Sequence, residues 1–139
     1  MLANHENSDI KLTKKQSLVI ETLANADRPL GAYSILDELR DEGFRAPLQV
    51  YRTLDQLIAL GLIHRLESLN AYVACQMETC GLTDKMNASF VICDACGIVK
   101  ELPPVAVEKA VDILLDSFTF TPTKSAIEIR GICHSCQSL

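Results

Sequence analysis

The sequence predicts an α+β protein with two small domains: a helical N-terminal domain that ends in a β-hairpin, and a C-terminal α/β domain. Three observations predict this class. The first half has apolar side chains at helical spacing, later segments are strand-like, and two Cys-x-x-Cys pairs stand near the C-terminal end. We expect residues 1–75 to form the first domain, with a short flexible tail over residues 1–10. Residues 76–139 form the second.

Two amphipathic helices are predicted first. Thr13 begins a capping box with Gln16, and the first helix runs to about Ala24. A turn over residues 27–31 separates it from a short second helix, which Gly43 ends. This arrangement is typical of the first two helices of a helix-turn-helix.

The third predicted helix has a buried side and a polar side. Pro47 fits its first position, where the missing amide hydrogen costs nothing. Its apolar stripe consists of Val50, Leu54, Leu57 and Ile58. Its other side offers Gln49, Arg52, Thr53 and Gln56. Arginine can donate two hydrogen bonds to guanine, and glutamine can pair with adenine, so this side is a candidate DNA surface. The alternative is an ordinary solvated helix face.

A predicted β-hairpin follows the third helix. Gly61 ends that helix, and two strand-like runs, residues 62–66 and 71–75, flank a polar turn over residues 67–70. Three helices followed by a hairpin describe a winged helix-turn-helix, an architecture that places one helix in the DNA major groove.

The second domain is predicted to be a small sheet with one helix. Residues 87–93 and 98–102 are strand-like, and a third strand covers residues 123–130. The apolar positions of the helix are Val107, Val111, Leu114, Leu115 and Phe118. Ile127 and Ile129 face one side of the last strand, and Glu128 and Arg130 face the other. So small a sheet cannot bury both faces, so we expect it to pair with a second copy as a homodimer.

The two cysteine pairs predict one tetrahedral zinc site. The ligands are Cys93, Cys96, Cys133 and Cys136. A two-residue spacer lets both sulfurs of a pair face one ion, and four thiolates close the shell, which indicates a structural rather than a catalytic Zn²⁺. Three alternatives stay open. Disulfides need an oxidising compartment, and a thioredoxin-type dithiol needs its Cys-x-x-Cys at a helix N-terminus. Iron held by four thiolates has a similar ligand spacing.

Composition limits the function classes. The chain has 139 residues and a net charge of −5, so any contact with nucleic acid must come from a local basic face. No apolar run reaches the ~20 residues that span a bilayer, and the polar start lacks a signal-peptide core, so we expect a soluble, cytoplasmic protein with no membrane partner. No nucleophile is paired with a base, which argues against an enzyme and against a small organic substrate.

Several short motifs in order resemble the ferric uptake regulator family, and within it the zinc uptake regulator branch. They are Leu12-Thr13, Gly31-Ala32-Tyr33, Val50-Tyr51-Arg52-Thr53-Leu54, His64-Arg65-Leu66-Glu67-Ser68 and the two cysteine pairs. The resemblance covers nearly the whole chain. It implies a dimeric, metal-responsive repressor of metal-uptake genes that binds double-stranded operator DNA. It further implies that Tyr33 and Arg52 contact bases, and that Lys11, Lys14 and Tyr51 contact the backbone.

The resemblance also implies a second, regulatory metal site at the hinge between domains. Its suggested ligands are His64, Cys75 and Glu101, a mixed set that zinc accepts. Relatives supply another ligand from a histidine-rich stretch, but residues 76–92 contain no histidine. Asp84 is the favoured replacement, and Cys80 and Glu78 are the alternatives.

Two rival functions stay open at this point. The first is a regulator of the same fold that responds to redox state, peroxide or iron through Cys75 and Cys80. The second is a zinc-knuckle module that binds proteins and no DNA. The operator sequence, the target genes and the metal affinity do not follow from the sequence.

Overall fold

The computed structural model describes residues 11–76 and 87–138 of the chain. These fall into two compact units, residues 1–82 and 83–139, and their helices and strands confirm the predicted α+β class. The predicted tail over residues 1–10 lies outside the described ranges, and the predicted domain boundary after residue 75 lies next to residues outside them. Both stay predictions. Within those ranges, no helix is long and apolar enough to cross a membrane.

The first unit begins with helix α1, Lys14–Asn25. The Thr13 hydroxyl accepts the Gln16 backbone N–H at 3.2 Å, and the Gln16 side-chain oxygen accepts the Thr13 N–H at 2.9 Å. This reciprocal pair satisfies two amides that a helix start leaves without intrahelical partners. The predicted capping box is therefore confirmed.

Two further helices complete the helix-turn-helix. Helix α2, Ala32–Leu39, continues into a 3-10 turn, Arg40–Glu42. Gly43 then has a φ of +98°, a left-handed conformation that glycine adopts without a Cβ clash. Helix α3, Pro47–Ala59, has its proline in the first turn, as predicted.

A β-hairpin closes the first unit. Strands β1, Ile63–Leu66, and β2, Ala71–Ala74, pair antiparallel. Leu30, in the turn before α2, exchanges two backbone hydrogen bonds with Tyr72, at 3.1 and 2.8 Å. Those two bonds attach the hairpin to the helical part, so the wing has a fixed place beside the helices.

One apolar core holds this unit together. Its members come from all three helices and both strands: Val19, Leu23, Ala32, Ile35, Leu36, Leu39, Phe44, Val50, Leu54, Leu57, Ile63 and Tyr72. Burying each large apolar side chain contributes about 1.5–3 kcal/mol. Phe44, with no exposed surface, is a core residue that the helical periodicity did not predict, because it lies in the loop before α3.

The second unit is a three-stranded sheet with two helices among its described residues. Its elements are β3 Asn87–Cys93, β4 Val99–Glu101, α4 Pro104–Leu115, β5 Ser125–Gly131 and the short α5 His134–Gln137. The strand order is β4-β3-β5, with β3 and β4 antiparallel and β3 and β5 parallel. The α4 connection carries the chain from one edge of the sheet to the other.

The predicted apolar positions of α4 differ in how far the single chain buries them. Val107 and Val111 are buried, whereas Leu114 is 67% exposed. The helix ends at Leu115, so Phe118 lies beyond it and is 65% exposed. Among the predicted apolar positions, only Val107 and Val111 are buried in the single chain, and Leu115 is half-buried.

Candidate metal centre and nucleic-acid interface

The sheet of the second unit brings the two cysteine pairs together. Cys93 is the last residue of β3, and Gly131, opposite it in the parallel register, is the last residue of β5. Parallel neighbours end at the same edge of a sheet. Both cysteine pairs therefore leave the sheet side by side, although 36 residues separate them in sequence.

The four sulfurs have the spacing of a tetrahedral site. Cys93, Cys96, Cys133 and Cys136 place their sulfur atoms within 4.8 Å of one another. The Cys96 and Cys133 sulfurs are 3.7 Å apart, and a tetrahedron with metal–sulfur bonds of about 2.3 Å has edges of about 3.8 Å. These residues fit Zn²⁺, and with four thiolates the shell has no position for a substrate. The predicted structural zinc site is confirmed.

A tight turn shapes the first pair. Gly97 has a φ of +77°, and its N–H donates to the Cys93 carbonyl at 3.0 Å. The turn directs the Cys96 sulfur back towards Cys93, as the sequence Cys-x-x-Cys-Gly predicts.

Backbone amides prepare Cys93 for a metal. The N–H groups of Cys133 and Cys96 donate to the Cys93 sulfur at 3.3 and 3.5 Å. These hydrogen bonds, that of Cys133 first, favour the thiolate and lower the pKa of Cys93 to about 6. The pKa of Cys136 is instead raised to about 12, chiefly because its thiol shares a hydrogen bond with the sulfur of Cys133. The cysteines of the site therefore differ in how readily they lose a proton, and a bound cation would favour the thiolate form of all four.

An ion pair that sequence reasoning missed connects the two cysteine pairs. The Arg130 Nε donates to a carboxylate oxygen of Asp94 at 2.8 Å, and the Asp94 N–H donates to the Gly131 carbonyl at 2.7 Å. Asp94 lies between the two cysteines of the first pair, and Arg130 lies three residues before Cys133, the first cysteine of the second pair. The β3–β5 register, in which Arg130 pairs with Ile92 and Gly131 with Cys93, brings the two side chains together.

Two of the suggested regulatory ligands lie in the hairpin of the first unit. His64 is in β1, and Cys75 follows β2, where its N–H donates to the Leu62 carbonyl at 3.0 Å. A ring nitrogen of His64 and the sulfur of Cys75 lie within 4.8 Å of each other. Burial lowers the pKa of His64, which favours the neutral imidazole that binds metals. Cys75 is disulfide-bonded here, so it must be reduced before it can supply a thiolate.

One further suggested ligand belongs to the second unit, and the others fall outside the described residues. Glu101, the last residue of β4 in the second unit, is half-buried. Asp84, the favoured fourth ligand, and its alternatives Cys80 and Glu78 lie outside the described residues. The regulatory ligand set therefore stays a prediction.

Most of the suggested DNA contacts are exposed. Arg52 is exposed on α3, and Tyr33, in the first turn of α2, is 64% exposed. Lys14, the first residue of α1, and Lys11, three residues before it, are both exposed. Tyr51 is half-buried against the core of the first unit. Base and phosphate contacts by these residues stay predictions.

The structure corrects the placement of Thr53 on α3 and gives Gln49 a local role. Thr53 is 5% exposed, because Val50, Thr53, Leu54 and Leu57 together form the buried stripe. Its hydroxyl donates to the Gln49 carbonyl at 2.9 Å. The Gln49 side chain in turn accepts the N–H groups of Arg45 and Ala46, at 2.7 and 3.2 Å. Thr53 is thus not on the polar side of the helix, and Gln49 stabilises the helix start.

Comparison with known proteins decides the family. Residues 7–130 match the model of the ferric uptake regulator family. The chain belongs to this family. It is 33% identical over 129 residues to the zinc uptake regulation protein of Escherichia coli (strain K12), covering 92% of this chain and 74% of that protein. It is 25% identical over 134 residues to the ferric uptake regulation protein of Legionella pneumophila, covering 95% of each.

Solved structures of the family agree with this fold. A crystal structure of holo XcZur has a TM-score of 0.79 and 34% identity, covering 94% of this chain and 89% of that one. A zinc uptake regulator complexed with zinc and DNA has a TM-score of 0.78 and 33% identity, covering 93% of this chain and 85% of that one. The predicted family and its zinc uptake regulator branch are confirmed.

Proposed function

We propose that this chain is a zinc-responsive, DNA-binding transcriptional repressor of metal-uptake genes. The observation that carries the proposal is its likeness to a zinc uptake regulator that was solved with both zinc and DNA. The winged helix of the first unit provides the reading helix α3. The closed zinc site of the second unit provides folding energy and no open coordination position, so we propose a regulator and not an enzyme. Action on DNA supports a cytoplasmic location.

A homodimer is part of the proposal. The second unit exposes large apolar side chains that one chain leaves uncovered, at Ile113, Leu114, Phe118, Phe120 and Ile129. Monomeric proteins rarely expose so many apolar groups on one small unit. A second copy of the chain would cover them and would supply two reading helices for two DNA half-sites.

Regulation is proposed to come from a second zinc ion. The proposed ligands are His64, Cys75, Glu101 and Asp84. The neutral imidazole of His64 and its closeness to the Cys75 sulfur support the first two. An ion that binds one arrangement of the dimer more tightly would shift the population towards the arrangement that binds DNA. Zinc-loaded protein would then occupy its operator and release it when zinc is scarce.

The test joins metal content to DNA binding. Native mass spectrometry of reduced protein, through a zinc titration against a competing chelator, should show one tightly held zinc per chain and a second that the chelator removes. A random duplex pool should yield an enriched sequence only when the second zinc is bound. Enrichment that is independent of zinc, or no enrichment at all, contradicts the proposal. Asp84→Asn and Cys80→Ser variants then identify the fourth ligand.

One observation favours a second candidate function. Cys75 is disulfide-bonded in the structure, which is what a redox-responsive regulator of the same fold requires in its oxidised state. Oxidant would then release DNA from protein that is saturated with zinc, and reductant would restore binding. A Cys80→Ser variant removes the other redox cysteine of this rival and keeps the proposed zinc ligand Cys75. If that variant binds DNA regardless of oxidant, yet still responds to zinc, the two functions are separated.

A further inference from the structure

Leu48 is an exposed leucine on the reading helix. It lies in the first turn of α3 and is 58% exposed. Arg52 follows four residues later, so both side chains lie on one face of the helix, one turn apart. An exposed leucine forgoes the free energy of burial, and here it stands beside the residue that is proposed to contact a base.

Three other side chains near the start of α3 are already in use. The Gln49 side chain accepts the amides of Arg45 and Ala46, and Val50 is fully buried. Thr53 is buried, and its hydroxyl is bonded within the helix. In the first turn of α3, Leu48 is therefore the exposed side chain that lies on the same face of the helix as Arg52.

We propose that Leu48 contacts the C5-methyl group of a thymine in the major groove and fixes that base in the operator. The inference rests on the proposed DNA-binding function. Among the base edges that face the major groove, the thymine methyl is the one apolar group, and apolar side chains are what contact it. A leucine side chain forms no hydrogen bond with the edges of the other bases. The contact therefore distinguishes thymine from the other bases by shape and by burial of the methyl group.

The spacing fits one short stretch of bases. Four residues of helix rise about 6 Å, and bases stacked about 3.4 Å apart cover that distance in roughly two steps. The N-terminal residues of a recognition helix are those that contact base edges. The thymine should therefore lie one or two base pairs from the base that depends on Arg52.

The test removes single methyl groups from DNA. A duplex is first selected from a random pool by zinc-loaded wild-type protein, and each thymine of one half-site is replaced in turn by deoxyuridine, which lacks only the methyl. For wild-type protein we expect one replacement to weaken binding about fourfold, the factor expected for one buried methyl group. Leu48→Ala removes the contact in both half-sites of the dimer, so it should bind the unmodified duplex about 16-fold more weakly, which is about fourfold per half-site. It should be indifferent to that same replacement. Leu48→Met should keep the sensitivity.

A second exposed leucine provides a matched control. Leu69→Ala, at an exposed leucine of the hairpin turn, should leave the deoxyuridine sensitivity intact whatever its effect on affinity. Two outcomes would overturn the inference. In the first, Leu48→Ala binds the unmodified duplex as tightly as wild-type protein does. In the second, the ratio of Leu48→Ala to wild-type affinity is the same on every deoxyuridine duplex, so that no thymine methyl depends on Leu48. If wild-type protein selects no duplex, the proposed function and the inference fail together.

Discussion

The ion pair between Asp94 and Arg130 is a residue-scale feature beside the zinc site. The two side chains are 43% and 49% exposed, so water screens their attraction and the pair contributes about 0–1 kcal/mol to stability. Its larger effect is geometric, because it links the first cysteine pair to the strand that leads to the second. Groups that orient metal ligands commonly change metal affinity by about 10-fold or more.

Asp94→Asn tests this role. We expect a small loss of thermal stability and zinc transfer to a chelator that is about threefold to tenfold faster, because the two cysteine pairs are less firmly aligned. Stopped-flow absorbance of a chromogenic chelator measures the rate. Glu67→Gln, which breaks the exposed Arg65–Glu67 pair of the first unit, is the control and should leave zinc transfer unchanged. Equal rates for both variants would contradict the role.

At the scale of elements, the turn after β3 depends on one glycine. Gly97 has a φ of +77°, whereas Gly131, at the end of β5, does not have a positive φ. An added Cβ meets nothing within 4 Å at either position. The two glycines therefore differ in backbone conformation and not in available space.

Gly97→Ala should lower the free energy of unfolding of the second unit by about 1–2 kcal/mol, the cost of a left-handed conformation for an L-residue. Gly131→Ala should change it by less, since its backbone needs no such conformation. Chemical denaturation of zinc-loaded protein, followed by circular dichroism, gives both values. If the two variants lose the same stability, the conformation of Gly97 is not what the turn requires.

Helix α4 is an element whose outer side has no cover in a single chain. Ile113 and Leu114 are 76% and 67% exposed. Leu114→Glu should shift the protein from dimer to monomer, because a buried unpaired carboxylate in an interface costs several kcal/mol. Sedimentation velocity measures the change. Lys109→Glu, an exposed polar position of the same helix, should leave the dimer intact. A Leu114→Glu variant that still sediments as a dimer would place the interface elsewhere.

For the whole molecule, zinc, protons and folding are linked. In the zinc-free protein at pH 7, Cys136 carries its proton, since its pKa is about 12, and Cys93 has largely lost its own, with a pKa of about 6. Zinc binds thiolates, so binding expels the remaining protons. Zinc affinity should therefore rise with pH above 7 and fall as pH drops through 6, where Cys93 also becomes protonated.

Competition with a chelator at several pH values measures this dependence, and calorimetry in buffers of different ionisation enthalpy counts the protons released. The second unit should lose its folded signal when the chelator removes zinc, while the first unit, with its own apolar core, should keep its helices. Zinc affinity that does not change between pH 6 and pH 8 would mean that all four cysteines are already thiolates without metal.

Much of this molecule follows from its sequence because the determining interactions are local. The capping box of Thr13 and Gln16 and the tight turn at Gly97 each involve residues within four positions of one another. The cysteine spacing likewise determines the nature of the metal site, since two residues between ligands suffice to define each half of a tetrahedron. The order of the helices and the hairpin follows from apolar periodicity and turn residues, which are also local signals.

Other features were decided only by tertiary structure, because they depend on what lies across from a residue and not beside it in the chain. The burial of Phe44 and Thr53 follows from how α3 packs on the other helices. The Asp94–Arg130 pair follows from the parallel register of β3 and β5. Residues distant in sequence meet only when the whole core forms, because the free energy that fixes their positions is shared among all the packed elements.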